Sequence, residues 1–136
     1  MEWKEGTPKH GDLIRTKVSF YHHYGIFADE NDVIQFGLPD DPGRPAEQIS
    51  VLSTDIYTFL QGGNLEIGFP SKEEKKKLFP PKEIVLRARA KMGSKGYDIL
   101  HNNCEHFMNE CAFGESNSRF LDDVRAKIRA KLGKQI

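Results

Sequence analysis

Neither sign of charge dominates this sequence. Twenty Lys and Arg side chains balance 20 Asp and Glu over 136 residues, for a formal net charge of zero and a pI near 7.0. A domain that neutralises many phosphates carries a clear basic excess, so no nucleic-acid partner is expected. Long hydrophobic runs are missing too. No uninterrupted apolar stretch exceeds three residues, whereas a membrane-spanning helix needs about 20, so no transmembrane segment is expected. The polar stretch Met1 to Gly11 lacks the apolar centre of a secretory leader, which points to a cytoplasmic location. Cysteine is scarce: there are two, Cys104 and Cys111. On one helix they would stand about 10 Å apart along its axis, too far for a disulfide. His101, Cys104 and His106 lack a second close-spaced ligand pair, so neither a metal site nor any other cofactor is expected.

What is present suffices for one domain over residues 1–136. The mean hydropathy is a polar −0.60, yet 38% of residues are hydrophobic, including 9 Phe and 4 Tyr, which can supply a core. Leu13 to Val18, Tyr21 to Ala28 and Val33 to Phe36 are rich in β-branched and aromatic residues and predict a meander, with a polar turn at Asp29 to Asp32. Gly37 to Pro45 reads as a surface loop, and Gln48 to Leu52 as a short strand. Ser53 is placed to cap a helix through Leu60, ended by Gly62 and Gly63, and Leu65 to Ile67 can return to the sheet. Ser71 to Lys77 is a charge run best read as solvated. Pro80 and Pro81 then open an amphipathic helix whose apolar positions are Ile84, Val85, Ala88 and Met92, closed by Gly93. Tyr97 to Leu100 reads as a brief extended stretch. Asn103 caps a helix from Cys104 to Phe113 ended by Gly114, and a last helix is expected over 118–132 with Phe120, Leu121, Val124, Ile128 and Leu132 as its stripe.

The chemistry concentrates in Asn103-Cys104-Glu105-His106-Phe107. A thiol in the first turn of a helix lies at the positive end of the macrodipole, beside backbone N–H groups without helical partners, and both favour the thiolate. Those N–H groups also suit the oxyanion of a tetrahedral intermediate. The bland reading is a buried, inert cysteine. A nucleophile needs a base, and Tyr21-His22-His23-Tyr24 on a strand offers two histidines facing opposite sides, so at most one reaches Cys104. Gln35 on the next strand can accept the far N–H of the imidazole and fix its tautomer. His23 shares a face with Gln35 only if the connection has an odd number of unpaired residues or a bulge; an even turn hands the role to His22.

Gly11-Asp12-Leu13-Ile14, Tyr21-x-His23-Tyr24-Gly25-Ile26, Gln35 and Asn103-Cys104-Glu105-His106-Phe107 together resemble the lecithin:retinol acyltransferase (LRAT) family, which includes the H-Ras-like suppressor phospholipase/acyltransferases and bacterial members. The resemblance covers about residues 11–124. It implies an α+β, circularly permuted papain-like fold, a small antiparallel sheet packed against helices that include the cysteine helix. It also implies a thiol-dependent acyltransferase or phospholipase-type hydrolase acting through a Cys104 thioester, with His23 as base, Gln35 as its orienter, and Tyr21 and Asn103 supporting the oxyanion. Its partners would be a lipid acyl donor and an amine, alcohol or water as acceptor. Many relatives carry histidine where this chain has Gln35. Two other readings stand beside this one: a cysteine peptidase or isopeptidase using the same groups, and a binding module without activity. Arg125, Lys127, Arg129, Lys131 and Lys134 decorate the last expected helix, which reads first as solvated and packed on the core, and alternatively as a peripheral contact with anionic lipid.

Overall fold

In the computed structural model, residues 1–19, 21–39, 43–99, 102–115 and 129–131 are described. Among the described residues up to 115, six strands and four α-helices follow in the order β1 (Glu2–Lys4), β2 (Asp12–Val18), β3 (Tyr21–Asp29), β4 (Asp32–Phe36), β5 (Val51–Thr54), α1 (Ile56–Leu60), β6 (Glu66–Phe69), α2 (Lys72–Lys75), α3 (Pro81–Ala90) and α4 (Cys104–Phe113). The strands form one antiparallel sheet in the order β1-β6-β2-β3-β4-β5. The architecture is α+β, with a small antiparallel sheet and several helices, as the sequence implies.

Alternation along β3 and β4 divides the core in two. Tyr24, Ile26, Ala28, Ile34 and Phe36 turn to one face, where they pack with Ile84, Val85 and Ala88 of α3 and Cys104, Phe107, Met108 and Cys111 of α4. Phe27 and Val33 turn to the other face and meet Ile14, Ile67, and Ile56 and Phe59 of α1. The cysteine helix and α1 therefore lie on opposite faces of the sheet. Pro81 opens α3, where a missing N–H costs nothing. Gly11 precedes β2 with φ +87°, and its Cα stands so close to α3 that an added Cβ would lie 2.5 Å from the Pro81 Cβ.

The departures from expectation are local. β1 was not expected, because Glu2-Trp3-Lys4 is short and mostly polar; it is held at the edge by pairing with β6. Residues Ala46–Gln48 form a single 3-10 turn, not the start of a strand. Asp55, not Ser53, caps α1: its carboxylate accepts from Thr58 N, while the Ser53 hydroxyl donates to Asp32 at 2.5 Å. Gln61, in the left-handed region at φ 45°, ends α1 ahead of the two glycines. Part of the charge run does become helical, as α2, through a capping box between Ser71 and Glu74. Tyr97 to Ile99 do not form a strand, and Asp98 makes an isolated bridge with Asn102 before α4; Leu100, the end of the expected extended stretch, lies outside the described residues. The helix expected over 118–132 lies outside the described residues apart from 129–131, which are helical and exposed. Among the described residues, no helix is long and apolar enough to cross a membrane.

Candidate active site

The β3–β4 hairpin decides which histidine joins the site. Its turn, Glu30-Asn31, has two residues, which alone would bring an even-numbered β3 residue opposite Gln35. The register shifts between Phe27 and Asp29, however, so Gly25 pairs directly with Gln35. The irregularity falls at Ala28 and shifts the pairing by one residue. His23, two residues before Gly25, consequently shares the face of Gln35, and the two meet at 3.0 Å from Nε2 to Oε1. His22 points to the other face, half-buried beside Glu66 at 4.0 Å. Burial, then the Arg15 cation, push its pKa below the ordinary histidine value.

Gln35 is fully buried, and its amide orientation is fixed by its neighbours. Its Nε2 donates to the Val33 carbonyl at 3.2 Å and to the Thr54 hydroxyl at 2.8 Å. A carbonyl only accepts, so the amide nitrogen must face Val33 and the amide oxygen must face His23. An oxygen there requires a proton on His23 Nε2, which selects the tautomer whose basic nitrogen is Nδ1.

Cys104 is the first residue of α4. Asn103 caps the helix: its side-chain oxygen accepts from Glu105 N at 3.0 Å and His106 N at 3.1 Å, and its amide nitrogen donates to the Ile99 carbonyl at 2.9 Å. The His106 ring completes a reciprocal box by accepting from Asn103 N at 3.0 Å. The motif histidine is thus spent on the helix terminus, and the Asn103 side chain anchors that end. Tyr21 Oη donates to the Pro39 carbonyl, which ties the start of β3 to the loop after β4.

The backbone N–H groups of Tyr24, Cys104 and Glu105 act on the sulfur and favour its ionised form. β3 pairs with β4 only from Gly25 onward, and a backbone N–H lies in the plane of its sheet. Cys104 packs in one cluster with Tyr24, on the strand stretch that lies beyond the paired part of β4. The structure brings His23 and Gln35 into contact and seats Cys104 on the adjoining backbone, whereas Tyr21 and Asn103 act through the chain around them.

The ionisation expected at the helix terminus is not what this environment gives. Cys104 is 7% exposed, and burial pushes its thiol up to about 11; the backbone N–H of Tyr24 pulls the other way, and the Glu105 carboxylate adds to the rise. Desolvation outweighs the macrodipole, so the resting group is a thiol. Cys111, fully buried one face repeat later, is raised by burial to about 12 and belongs to the core. A cavity of about 350 Å³ borders the same helix, with Trp3, Tyr24, Glu105, Met108, Asn109 and Phe113 in its wall. Sequence reasoning did not find it, because it depends on β1 and α2 closing over α4.

Comparison with known proteins follows this geometry. The family model described as "Lecithin retinol acyltransferase" matches residues 6–117. The chain is 29% identical to lecithin retinol acyltransferase from Bos taurus and, equally, from Homo sapiens, in each case over 88% of this chain and 62% of the relative. It is 28% identical to phospholipase A and acyltransferase 3 from Homo sapiens, over 86% of this chain and 78% of that protein. The chain thus spans about 62% of the length of the lecithin retinol acyltransferases that it matches.

Proposed function

The chain belongs to the lecithin retinol acyltransferase family, and from that premise we propose that it is a thiol-dependent enzyme that takes an acyl group from a phospholipid ester and passes it to an amine, an alcohol or water. The observation that carries the reading is the 3.0 Å bond from His23 to Gln35, in a chain whose motif cysteine begins a helix that packs on Tyr24, the next residue of the same strand. The names of the relatives supply the substrate class: they are acyltransferases and phospholipases.

The proposed reaction starts from neutral groups. As Cys104 Sγ approaches the ester carbonyl carbon, its S–H bond breaks and the proton passes to Nδ1 of His23. The carbonyl electrons move to oxygen, and the Cys104 backbone N–H helps to hold the resulting oxyanion. Collapse expels the lysophospholipid alkoxide, which takes the proton from His23 and leaves a thioester on Cys104. The acceptor gives a proton to His23, attacks the thioester, and restores the thiol as the proton returns to sulfur. Gln35 keeps the proton on Nε2 throughout, so that Nδ1 alone accepts and donates. The cavity along α4 sets apolar Trp3, Met108 and Phe113 against a polar side of Glu73, Glu74, Lys77, Glu105, Asn109 and Glu115, so one wall suits an acyl chain and the other a polar group.

Intact mass spectrometry on protein incubated with mixed phospholipid vesicles tests the proposal. The expected result is an acyl adduct that disappears in Cys104→Ala and His23→Ala and largely persists in His22→Ala. Adduct formation unaffected by Cys104→Ala, or lost in His22→Ala but kept in His23→Ala, would refute it.

A further inference from the structure

On the face of the sheet that carries the cysteine helix, β2 and β3 set three basic side chains side by side. Arg15 is the direct cross-strand partner of Tyr24, and Lys17 of His22, so alternation turns all four to one face. We propose that Arg15, Lys17 and His22 form an anion subsite that receives the phosphodiester of the acyl donor. This rests on the reading of the chain as an acyl-transfer enzyme with a phospholipid donor.

Three observations carry the inference. The first is access. Lys17 is exposed, and the side chains of His22 and Arg15 keep 32% and 18% of their surface in solvent, so a ligand can touch each of them. Second, the basic groups stand near the nucleophile. Tyr24, two residues and about 7 Å along β3 from His22, packs in one cluster with Cys104, and its backbone N–H acts on the sulfur. A phospholipid carries its phosphate only a glycerol's length from the ester carbonyl, a comparable span. Third, the guanidinium is held in place with donors to spare. Its Nε donates to Glu66 at 2.9 Å and its Cζ lies 4.6 Å over the Trp3 ring. That contact engages one edge of a planar fork, a shape that suits paired phosphate oxygens.

The charges around His22 favour an anion. Burial lowers its pKa most and the Arg15 cation comes next; Glu66 opposes them, and Lys17 lowers it further. The Glu66 carboxylate stands 4.0 Å from His22 Nε2 and is shared with Arg15, so in this block of strands one acid stands against two cations. Arg15 acts on the Tyr24 hydroxyl as well. On α4 the Cys104 thiol is neutral, and the buried Glu105 carboxylate acts on Tyr24 and on the sulfur. Glu105 lines the cavity, beside Glu73, Glu74, Lys77 and Glu115. A phosphodiester between Lys17 and His22 relieves the repulsion that opposes protonation of the ring, so anion binding and His22 protonation reinforce each other.

The test compares a short-chain phosphatidylmethanol, which adds a phosphodiester and no other charge, with the diacylglycerol of the same chains. Acyl-adduct formation is read by intact mass at graded substrate concentrations. Lys17→Gln and His22→Gln should each lower the preference for the phospholipid over the uncharged ester about fivefold, with the loss in the half-saturating concentration. Arg15→Gln would also break the Glu66 bond and the Trp3 stack, so Lys17 and His22 carry the comparison. In histidine-labelled Cys104→Ala, which binds without turnover, the His22 ring ¹⁵N midpoint should rise by about half a pH unit, roughly threefold in proton affinity, with the phosphatidylmethanol and again with inorganic phosphate. The rise should be smaller when Lys17→Gln is added. A preference unchanged in both variants, or a midpoint unmoved by the phospholipid, overturns the inference. A midpoint moved by inorganic phosphate alone marks a site for free phosphate and likewise overturns the role in donor recognition. The adduct assay separates the two levels. Adduct formation with an unchanged preference sinks the subsite alone. A midpoint that rises with the phospholipid while no lipid yields an adduct sinks the acyl-transfer reading and leaves the anion subsite standing.

Discussion

Alkylation of Cys104 provides a sharp test of the site's electrostatics. A thiol held at about 11 is about one part in ten thousand ionised at pH 7, whereas a free cysteine near 8.5 is about three parts in a hundred ionised. Iodoacetamide reacts with the thiolate, so at pH 7 Cys104 should react at least about a hundredfold more slowly than a small free thiol. The rate should rise about tenfold per pH unit up to about pH 10 with no plateau below it. Cys111, raised to about 12, is silenced by Cys111→Ala, so that one thiol is followed. Ultraviolet absorption of the thiolate through the same range reads the titration independently of access. A rate plateau below pH 7, or thiolate absorbance at that pH, would show a preformed thiolate–imidazolium pair and refute the neutral-start mechanism. The same shift predicts a stability trend. The folded value lies above the unfolded one, so this contribution is complete below about pH 8.5 and is lost as pH rises through about 11.

Other substitutions address the supporting structure. Gln35→Leu removes the acceptor of His23 and the donor to the Val33 carbonyl and the Thr54 hydroxyl, and should cost about 1–3 kcal/mol in urea unfolding while lowering acyl-adduct formation. A stable variant with full adduct formation would remove Gln35 from the reaction. Gly11→Ala forces a side chain at φ +87° against Pro81, and about 2 kcal/mol or more should be lost in thermal or urea unfolding. Asp32 is pushed up by burial but held net below the usual carboxylate value by the Ser53 hydroxyl and the Arg89 guanidinium at 2.5 Å. Its contribution is present above about pH 4 and lost as pH falls through its lowered folded value. Asp32→Asn should therefore flatten the acid limb of a stability–pH curve, and an unchanged limb would exclude the pair as a stabilising element.

Periodicity and punctuation made most of the architecture legible. Alternating apolar residues mark β2, β3 and β4, the Pro80-Pro81 pair marks the start of α3, and Asn103 with Gly114 brackets α4 as read. Two kinds of information stayed hidden. β1 has almost no intrinsic strand signal; it forms because an open edge of β6 offers hydrogen bonds and because Trp3 packs edge-on against Tyr24, with centroids 5.6 Å apart. The ionisation of Cys104 was misread for a related reason. The helix terminus is written in the local sequence, but the burial that overrides it comes from Tyr24, Phe36 and Phe107, which the chain brings together only on folding.

The extra residue at Ala28 gives the hairpin the character of a vernier. Were that irregularity ironed out with every residue kept, everything upstream would realign by a single step, Ile26 would stand opposite Gln35, and the neighbouring imidazole would turn to Gln35 as His23 rotated away. Two histidines side by side thus amount to one part in two settings, and a bulge several positions distant selects the setting. A register slip in this hairpin should accordingly act on chemistry more than on shape, whereas removal of Ala28 alone should leave His23 facing Gln35.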